Sequence, residues 1–278
     1  MPWPHDKPVW CEPSSASAPL KKTRQRAREL RVIDQACTSV AEAVLGADLV
    51  LLAVPVGAMA SSFAAMAPAL SAQTLLMDVG STKSDVISAA QAHLGDKLSC
   101  FVPAHPIAGK EVAGIEHADA RLYQDRRTIL TPLSSNSMRH TKLAHDIWSA
   151  MGSHVSTMTA ADHDQTFAAV SHLPHLLAFA AVHALTTHPQ GADFLDMAGP
   201  GFRDFSRIAA SDPAVWRDIL SANRTEVLDQ LAHFRASLAL FEAAMQSGDT
   251  TGLQQLIQQA SDERAGWALQ SGSAQPGH

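Results

Sequence analysis

Two short stretches of this chain bring together side chains that could move a proton. The first, P-A-H-P-I-A-G-K-E from Pro103 to Glu111, sets His105 just after the apolar pair Phe101-Val102, where a strand would end and the chain would turn. Pro106 biases His105 away from helix, and Gly109 permits a tight backbone approach. A neutral imidazole titrates near physiological pH, so it can take a proton from a substrate hydroxyl; a satisfied loop histidine is the alternative. Glu111 could orient a ligand or pair at the surface with Lys110. The second stretch is D-V-G-S-T-K, from Asp78 to Lys83, which follows an apolar run. There Gly80 lets backbone approach a ligand, Ser81 offers a hydroxyl, and Lys83 offers a cation near the start of a helix, whose N–H groups also favour anions. Taken alone, Ser81 reads as a helix N-cap.

Two more clusters lie further along. In S-H-L-P-H, His172 and His175 are three apart and share a helix face, with Pro174 kinking or restarting the helix. The spacing raises the question of a metal. With no cysteine nearby and no H-E-x-x-H pattern, none is expected, and the pair reads as the polar wall of a binding site or as helix packing. Between Gly199 and Ile219, Arg203 and Arg207 stand four apart on one predicted helical face, suited to an anionic ligand because guanidinium binds carboxylates bidentately. Pairing with Asp204 or Asp212 is the other reading. Ser211 or Asp212 would cap a helix that begins at Pro213.

The elements that must position these residues alternate. Strands are predicted over Leu49–Val54, Thr74–Asp78, Leu98–Val102, Arg127–Leu130 and His154–Met158, with helices over Val40–Leu45, Val56–Leu70, Ser84–Leu94 and Leu143–Met151. Strands alternating with helices imply a doubly wound parallel sheet, whose ligands bind beyond the carboxyl ends of the strands. His105 and Ser81 both follow strand ends. After Thr159 the pattern is helical only, over Ala160–Ala184, Phe202–Ile208, Pro213–Met245 and Thr251–Trp267. The expected organisation is therefore α/β plus all-α, with domains at 1–159 and 160–278. The second is too apolar for a solvated bundle, so part of its surface should meet another chain. Five prolines in the first twenty residues predict an irregular opening, Leu20–Arg31 a basic helix with a solvated face, and Gln270–His278 a polar, disordered tail.

Composition narrows the partners. The chain has 278 residues, 46% of them hydrophobic, which is ample for two cores. A net charge of -6 gives no reason to expect nucleic acid or an anionic membrane, and favours small molecules. Three scattered cysteines suggest neither a disulfide framework nor a zinc site, consistent with a reducing cytoplasm. The longest apolar run, Leu49–Ala60, is broken by Pro55 and Gly57, well short of the roughly 20 residues of a membrane span. No apolar signal core opens the chain.

In order, these segments resemble the prephenate dehydrogenase family, from about Leu30 to about Leu240. A-D-L-V-L-L-A-V-P-V is similar to its dinucleotide-domain strand, D-V-G-S-T-K to its serine loop, and H-P-I-A-G-K-E to its catalytic-histidine loop; S-H-L-P-H and F-S-R-I-A-A-S-D-P-A-V-W-R-D-I are similar to its helical signatures. The resemblance implies oxidative decarboxylation of prephenate, or of arogenate, with hydride transfer to NAD or NADP in tyrosine biosynthesis. It implies His105 as the base that accepts the ring-hydroxyl proton and Ser81 as the group aligning that hydroxyl. Arg207 would bind a carboxylate, with Arg203, His172, His175, Glu111 and Trp216 completing the substrate pocket. Val54, Pro55, Gly80, Ser81 and Lys83 would line the cofactor, and the helical domain would form a homodimer. One departure stands out: the family opens with a strand, a G-x-G-x-x-G turn and a helix that bind the pyrophosphate, and the residues before Leu30 do not resemble that unit, with Arg31 where a helix-ending glycine is expected. An active oxidoreductase with an incomplete cofactor domain and an inactive homologue that keeps the helical dimer are both consistent with this pattern.

Overall fold

The computed structural model describes residues 9–10, 18–109 and 114–267. The expectations for Glu111, Lys110 and the tail from Gln270 lie outside the described residues, as does most of the Pro-rich opening. The chain divides into two compact units, Met1–His163 with Pro213–Ala222, and Asp164–Asp212 with Asn223–His278.

The first unit contains β1 (Val9–Trp10), α1 (Ala18–Glu29), β2 (Gln35–Ala36), α2 (Val40–Val44), β3 (Leu49–Leu52), α3 (Met59–Met66), β4 (Leu75–Asp78), α4 (Ser84–Leu94), β5 (Phe101–Val102), β6 (Ala104–Pro106), β7 (Arg127–Leu130), α5 (Met138–Ala150) and β8 (His154–Thr157), and runs into α6 (Ala160–Phe167). Strands β3, β4 and β5 pair in that order and in parallel, with Leu52 opposite Asp78 and Met77 opposite Val102. Every residue of β4 is buried, and its side chains alternate between two cores. Leu76 packs with Leu52, Phe63, Met66 and Phe101, while Leu75 and Met77 pack with Val102, Leu130 and Trp148. A strand covered on both faces is what its uninterrupted apolar run demands.

Several expectations need correcting. Within the opening, Val9–Trp10 pairs in parallel with Gln35–Ala36, and the helix starts at Ala18. Residues Gly95–Cys100 form a 3-10 turn where a strand from Leu98 is predicted, and the carbonyls of Ser99 and Phe101 accept from the Asn136 amide at 3.1 and 2.8 Å. The sheet is not parallel throughout. After Pro103 the chain changes partner: β6 lies antiparallel to β7, with His105 opposite Ile129, and β7 lies parallel to β8. His105 thus sits in a strand and not at a turn. Pro106 is tolerated there because the flanking ladder bonds come from elsewhere, Ile107 N–H to Arg127 O at 2.7 Å and Thr131 N–H to Pro103 O at 3.0 Å. Arg31, the residue standing where a glycine is expected, takes φ 55°, the left-handed conformation of a helix end.

Onward, α7 (Leu173–Thr186), α8 (Gly191–Asp196), α9 (Pro200–Ser206), α10 (Pro213–Ala222), α11 (Arg224–Ser247) and α12 (Thr250–Gly266) complete the chain. The helix predicted over Pro213–Met245 breaks at Asn223, and α10 returns to the sheet unit. A π-turn over Ala168–His172 precedes α7, in which Pro174 occupies the first turn, where its missing N–H costs no helical bond. The run Ala160–Thr186 is long and apolar enough to cross a membrane by length and composition, with hydropathy 1.4. The side chains of His163, His172 and His175 within it are hydrogen-bonded inside the protein. The helical unit exposes many large apolar side chains, including Met197, Phe205, Leu238, Leu240, Met245 and Ile257. The architecture is a Rossmann-like parallel-sheet domain followed by a helical domain.

Candidate active site

The sheet unit presents its chemistry where β4 and β5 end. Asp78 closes β4 and is fully buried, as is Lys83 at the start of α4, and the two form an ion pair. Lys83 also donates to Ala104 O at 2.8 Å. This corrects the expectation that Lys83 offers its charge to an anionic cofactor: a buried carboxylate requires a buried counter-charge, and Lys83 supplies it. Ser81 is partly buried, and the N-cap position of α4 is Lys83, so Ser81 is not the cap that its sequence context suggests. The approach that Gly80 permits is to protein. A Cβ there would lie 2.9 Å from Asp78 Oδ2 and 3.3 Å from Met59 Cε and Val56 Cγ1.

His105 is partly buried, and its Nδ1 lies 2.8 Å from Nε2 of His163, a fully buried residue of α6, with the rings edge-on at 5.1 Å. Sequence reasoning misses His163. Within A-A-D-H-D it carries no motif, and only the fold brings it across 58 residues to His105. For a base acting through Nε2, His105 must carry its proton on Nδ1 and donate it to His163; His163 then holds the ring in that tautomer and orientation. If so, His163→Phe, which keeps the ring and removes the acceptor, lowers kcat roughly 10- to 100-fold with KM little changed, and His163→Gln, which restores an acceptor, recovers most of the loss. Equal activity of the Phe and Gln variants would show that the second ring only packs.

At the ends of β3 and β4, Val54 and Ser81 are partly buried and Pro55 is exposed. Leu52 and Asp78 are the last register pair of these strands, so both following loops leave the sheet at one level. Trp216 lies on α10 and so belongs to the sheet unit, not to the helical one as its sequence position suggests. α10 packs closely against the turn after β3, where a Cβ on Gly57 would come 2.6 Å from Asp218 Oδ2.

The helical unit gathers a second set. His172 is buried, and its Nδ1 accepts from the Asn223 amide at 3.1 Å, while the same amide donates to Asp164 O at 2.8 Å. That bond puts the ring proton of His172 on Nε2. Asn223, at the break between α10 and α11, is a second residue that the sequence does not flag. His175 Nδ1 donates to Ser171 O at 2.9 Å. Burial chiefly, and Arg207 nearby, hold its pKa below the usual imidazole value, so it is neutral at physiological pH. Arg207 opens a 3-10 turn directly after α9, and Arg203 ends up mostly exposed and paired with Asp204 at 3.0 Å. Arg207 is the C-cap of α9 and keeps right-handed helical dihedrals, φ -49° and ψ -44°. Among the described residues no group of three or more His, Cys, Asp or Glu is arranged to hold a metal ion. Treatment with a chelator should leave turnover unchanged, and inhibition restored by a divalent cation would reopen the His172/His175 metal reading.

A mostly parallel sheet whose β3 and β4 loops leave at one level, an imidazole on the neighbouring β6 and a following helical domain are the architecture of the class that this chain matches. Residues 18–157 match the prephenate dehydrogenase nucleotide-binding domain and residues 159–259 the prephenate dehydrogenase dimerization domain. The chain belongs to the prephenate dehydrogenase family, NAD(P)-dependent oxidoreductases of tyrosine biosynthesis. It is 37% identical over 228 residues to the cyclohexadienyl dehydrogenase of Zymomonas mobilis, covering 81% of this chain and 77% of that one. It is 31% identical over 253 residues to the prephenate dehydrogenase of Bacillus subtilis, covering 90% and 68%. Among solved structures, the A. aeolicus prephenate dehydrogenase in complex with hydroxyphenyl propionate and NAD+ aligns with a TM-score of 0.81 and 32% identity, over 88% of this chain and 85% of that one.

Proposed function

We propose that this chain oxidatively decarboxylates prephenate to 4-hydroxyphenylpyruvate with NAD as hydride acceptor, as a homodimer in the cytoplasm. The observation that carries the proposal is the His105–His163 hydrogen bond at the edge of the sheet. Val54, Pro55, Gly80 and Ser81, uncharged and gathered at the level ends of β3 and β4, suit the nicotinamide half of the cofactor; Lys83 does not take part. When bound there, NAD supplies the acceptor for the hydride of the carbinol carbon. His105 takes the hydroxyl proton, and the imidazolium that forms keeps its Nδ1–H donated to His163. Ser81 orients that hydroxyl. Loss of carbon dioxide makes the ring aromatic, which draws the reaction forward.

Arg207 binds a carboxylate of the substrate, and neutral His175 beside it offers a hydrogen-bonding nitrogen without competing charge. His172, Trp216, Glu111 and, more peripherally, Arg203 complete the substrate contacts. The exposed apolar side chains of the helical unit are the surface a second copy would cover, each Å² contributing about 25 cal/mol.

The direct test mixes purified protein with prephenate and NAD and follows the absorbance of reduced nicotinamide, with arogenate and NADP in parallel. Turnover with prephenate and NAD is expected. A folded dimer that turns over neither substrate with either cofactor would overturn the proposal and return the reading of an inactive homologue.

A further inference from the structure

The fully buried ion pair between Asp78 and Lys83 touches more backbone than an ordinary stabilising pair requires. Asp78 Oδ1 accepts the Ala104 N–H at 2.9 Å, and Oδ2 accepts both the Gly80 N–H at 2.8 Å and the Lys83 ammonium. Lys83 in turn donates to Ala104 O at 2.8 Å. Both backbone groups of Ala104 are thus satisfied by one ion pair. Ala104 is the residue before His105, and Gly80 is the residue before Ser81.

The place in the fold explains why a charged pair is used. At Pro103 the chain leaves β4, the partner of β5, and takes up β7, the partner of β6. At such a change of partner a backbone N–H and C=O face the protein interior with no strand to receive them, and buried groups of that kind must be paired. Asp78 and Lys83 stand in for the missing strand. A carboxylate accepts only and an ammonium donates only, so the register of Ala104 is fixed without ambiguity. Hydrogen bonds to charged groups are also shorter and stiffer than neutral ones. Gly80 is held against the same carboxylate, in a space no larger side chain fits.

We propose that the Asp78–Lys83 pair is the positioning device of the active site, a single buried clamp that fixes the Ser81 loop and the His105 strand relative to each other. This rests on the reading of His105 as the base. Neither Asp78 nor Lys83 touches substrate; both act through the backbone they hold, and a misplacement of about 1 Å at a reacting group costs about 100-fold in rate.

Stability and turnover should come apart in the variants. Asp78→Asn or Lys83→Met alone strands a buried charge and lowers the thermal midpoint of the full chain. The pair Asp78→Asn with Lys83→Met removes both charges and should regain most of that midpoint, while kcat stays down by about 100-fold and KM for prephenate and NAD shifts less than about threefold. Amide hydrogen exchange, read without substrate or cofactor, should quicken at Gly80 and Ala104 by about 10-fold or more while Leu76 stays protected. Lys83→Arg keeps the charge and changes the donor geometry, which gives a second variant that strands no buried charge; a drop of about 10-fold in kcat at unchanged KM is expected. Recovery of kcat together with the midpoint in the double variant, wild-type kcat in Lys83→Arg, or unaltered exchange at Gly80 and Ala104 would each reduce the pair to a fold-stabilising element. An inactive wild-type protein whose Gly80 and Ala104 amides still respond would sink the proposed reaction and leave the clamp standing.

Discussion

His105→Asn lowers kcat by about 1,000-fold, roughly 4 kcal/mol of transition-state stabilisation, and leaves KM for prephenate within about threefold. The asymmetry follows from what the residue does. An amide matches the imidazole in polarity and fills much the same space in β6, and it still offers hydrogen bonds to the bound substrate, but it cannot accept a proton. The loss therefore falls on an interaction that exists only while the hydroxyl proton is in transit. Initial rates of NAD reduction at saturating and at limiting prephenate make the measurement. A matching loss in kcat and rise in KM would mean that His105 holds substrate without acting as the base. Because β6 is pinned on one side by β7 and on the other by Asp78 and Lys83, the substitution should leave the thermal midpoint near that of the wild type.

Arg207→Ala acts on the other parameter. Guanidinium to carboxylate is a charge-assisted pair of hydrogen bonds made in the ground state and the transition state alike, so removing it weakens binding throughout. The expected result is a rise of roughly 100-fold in KM for prephenate, about 2.7 kcal/mol, with kcat reduced less than about fivefold and KM for NAD unchanged. Arg207 is an exposed residue at the head of a short 3-10 turn, so folding is little affected, within about 0.5 kcal/mol. Arg203→Ala is the internal control: paired with Asp204 and mostly exposed, it should change KM far less. An unchanged KM in Arg207→Ala, with Arg203→Ala raising it, would exchange the two roles.

Local chemistry made much of this protein legible. The apolar run before Asp78 is a strand covered on both faces, whereas β3, before Pro55, ends the order β3-β4-β5 among the described residues and leaves Leu51 exposed; the turn from alternating elements to helices after Thr159 separates sheet from bundle. Pro174 and Pro213 begin helical turns because proline is at ease where no N–H is needed, and Arg31 holds a left-handed φ at a helix end as its position suggests. The residue types at positions 81, 105 and 207 offer a hydroxyl, an imidazole and a guanidinium, each with a purely structural alternative, before any fold is known.

What the sequence alone determined, then, is what has its cause within a few residues: most element types, their order, and which positions carry an imidazole, a hydroxyl and a guanidinium. Tertiary structure decided what those groups are paired with. Lys83 reads in sequence as a cation for a ligand, yet in space it neutralises Asp78, because a carboxylate at the buried end of β4 needs a buried counter-charge. His163, Asn223 and the return of α10 to the sheet unit are likewise invisible along the chain. Each depends on contacts between residues dozens of positions apart, and burial, which sets the strength of every charge and hydrogen bond here, is a property of the folded whole.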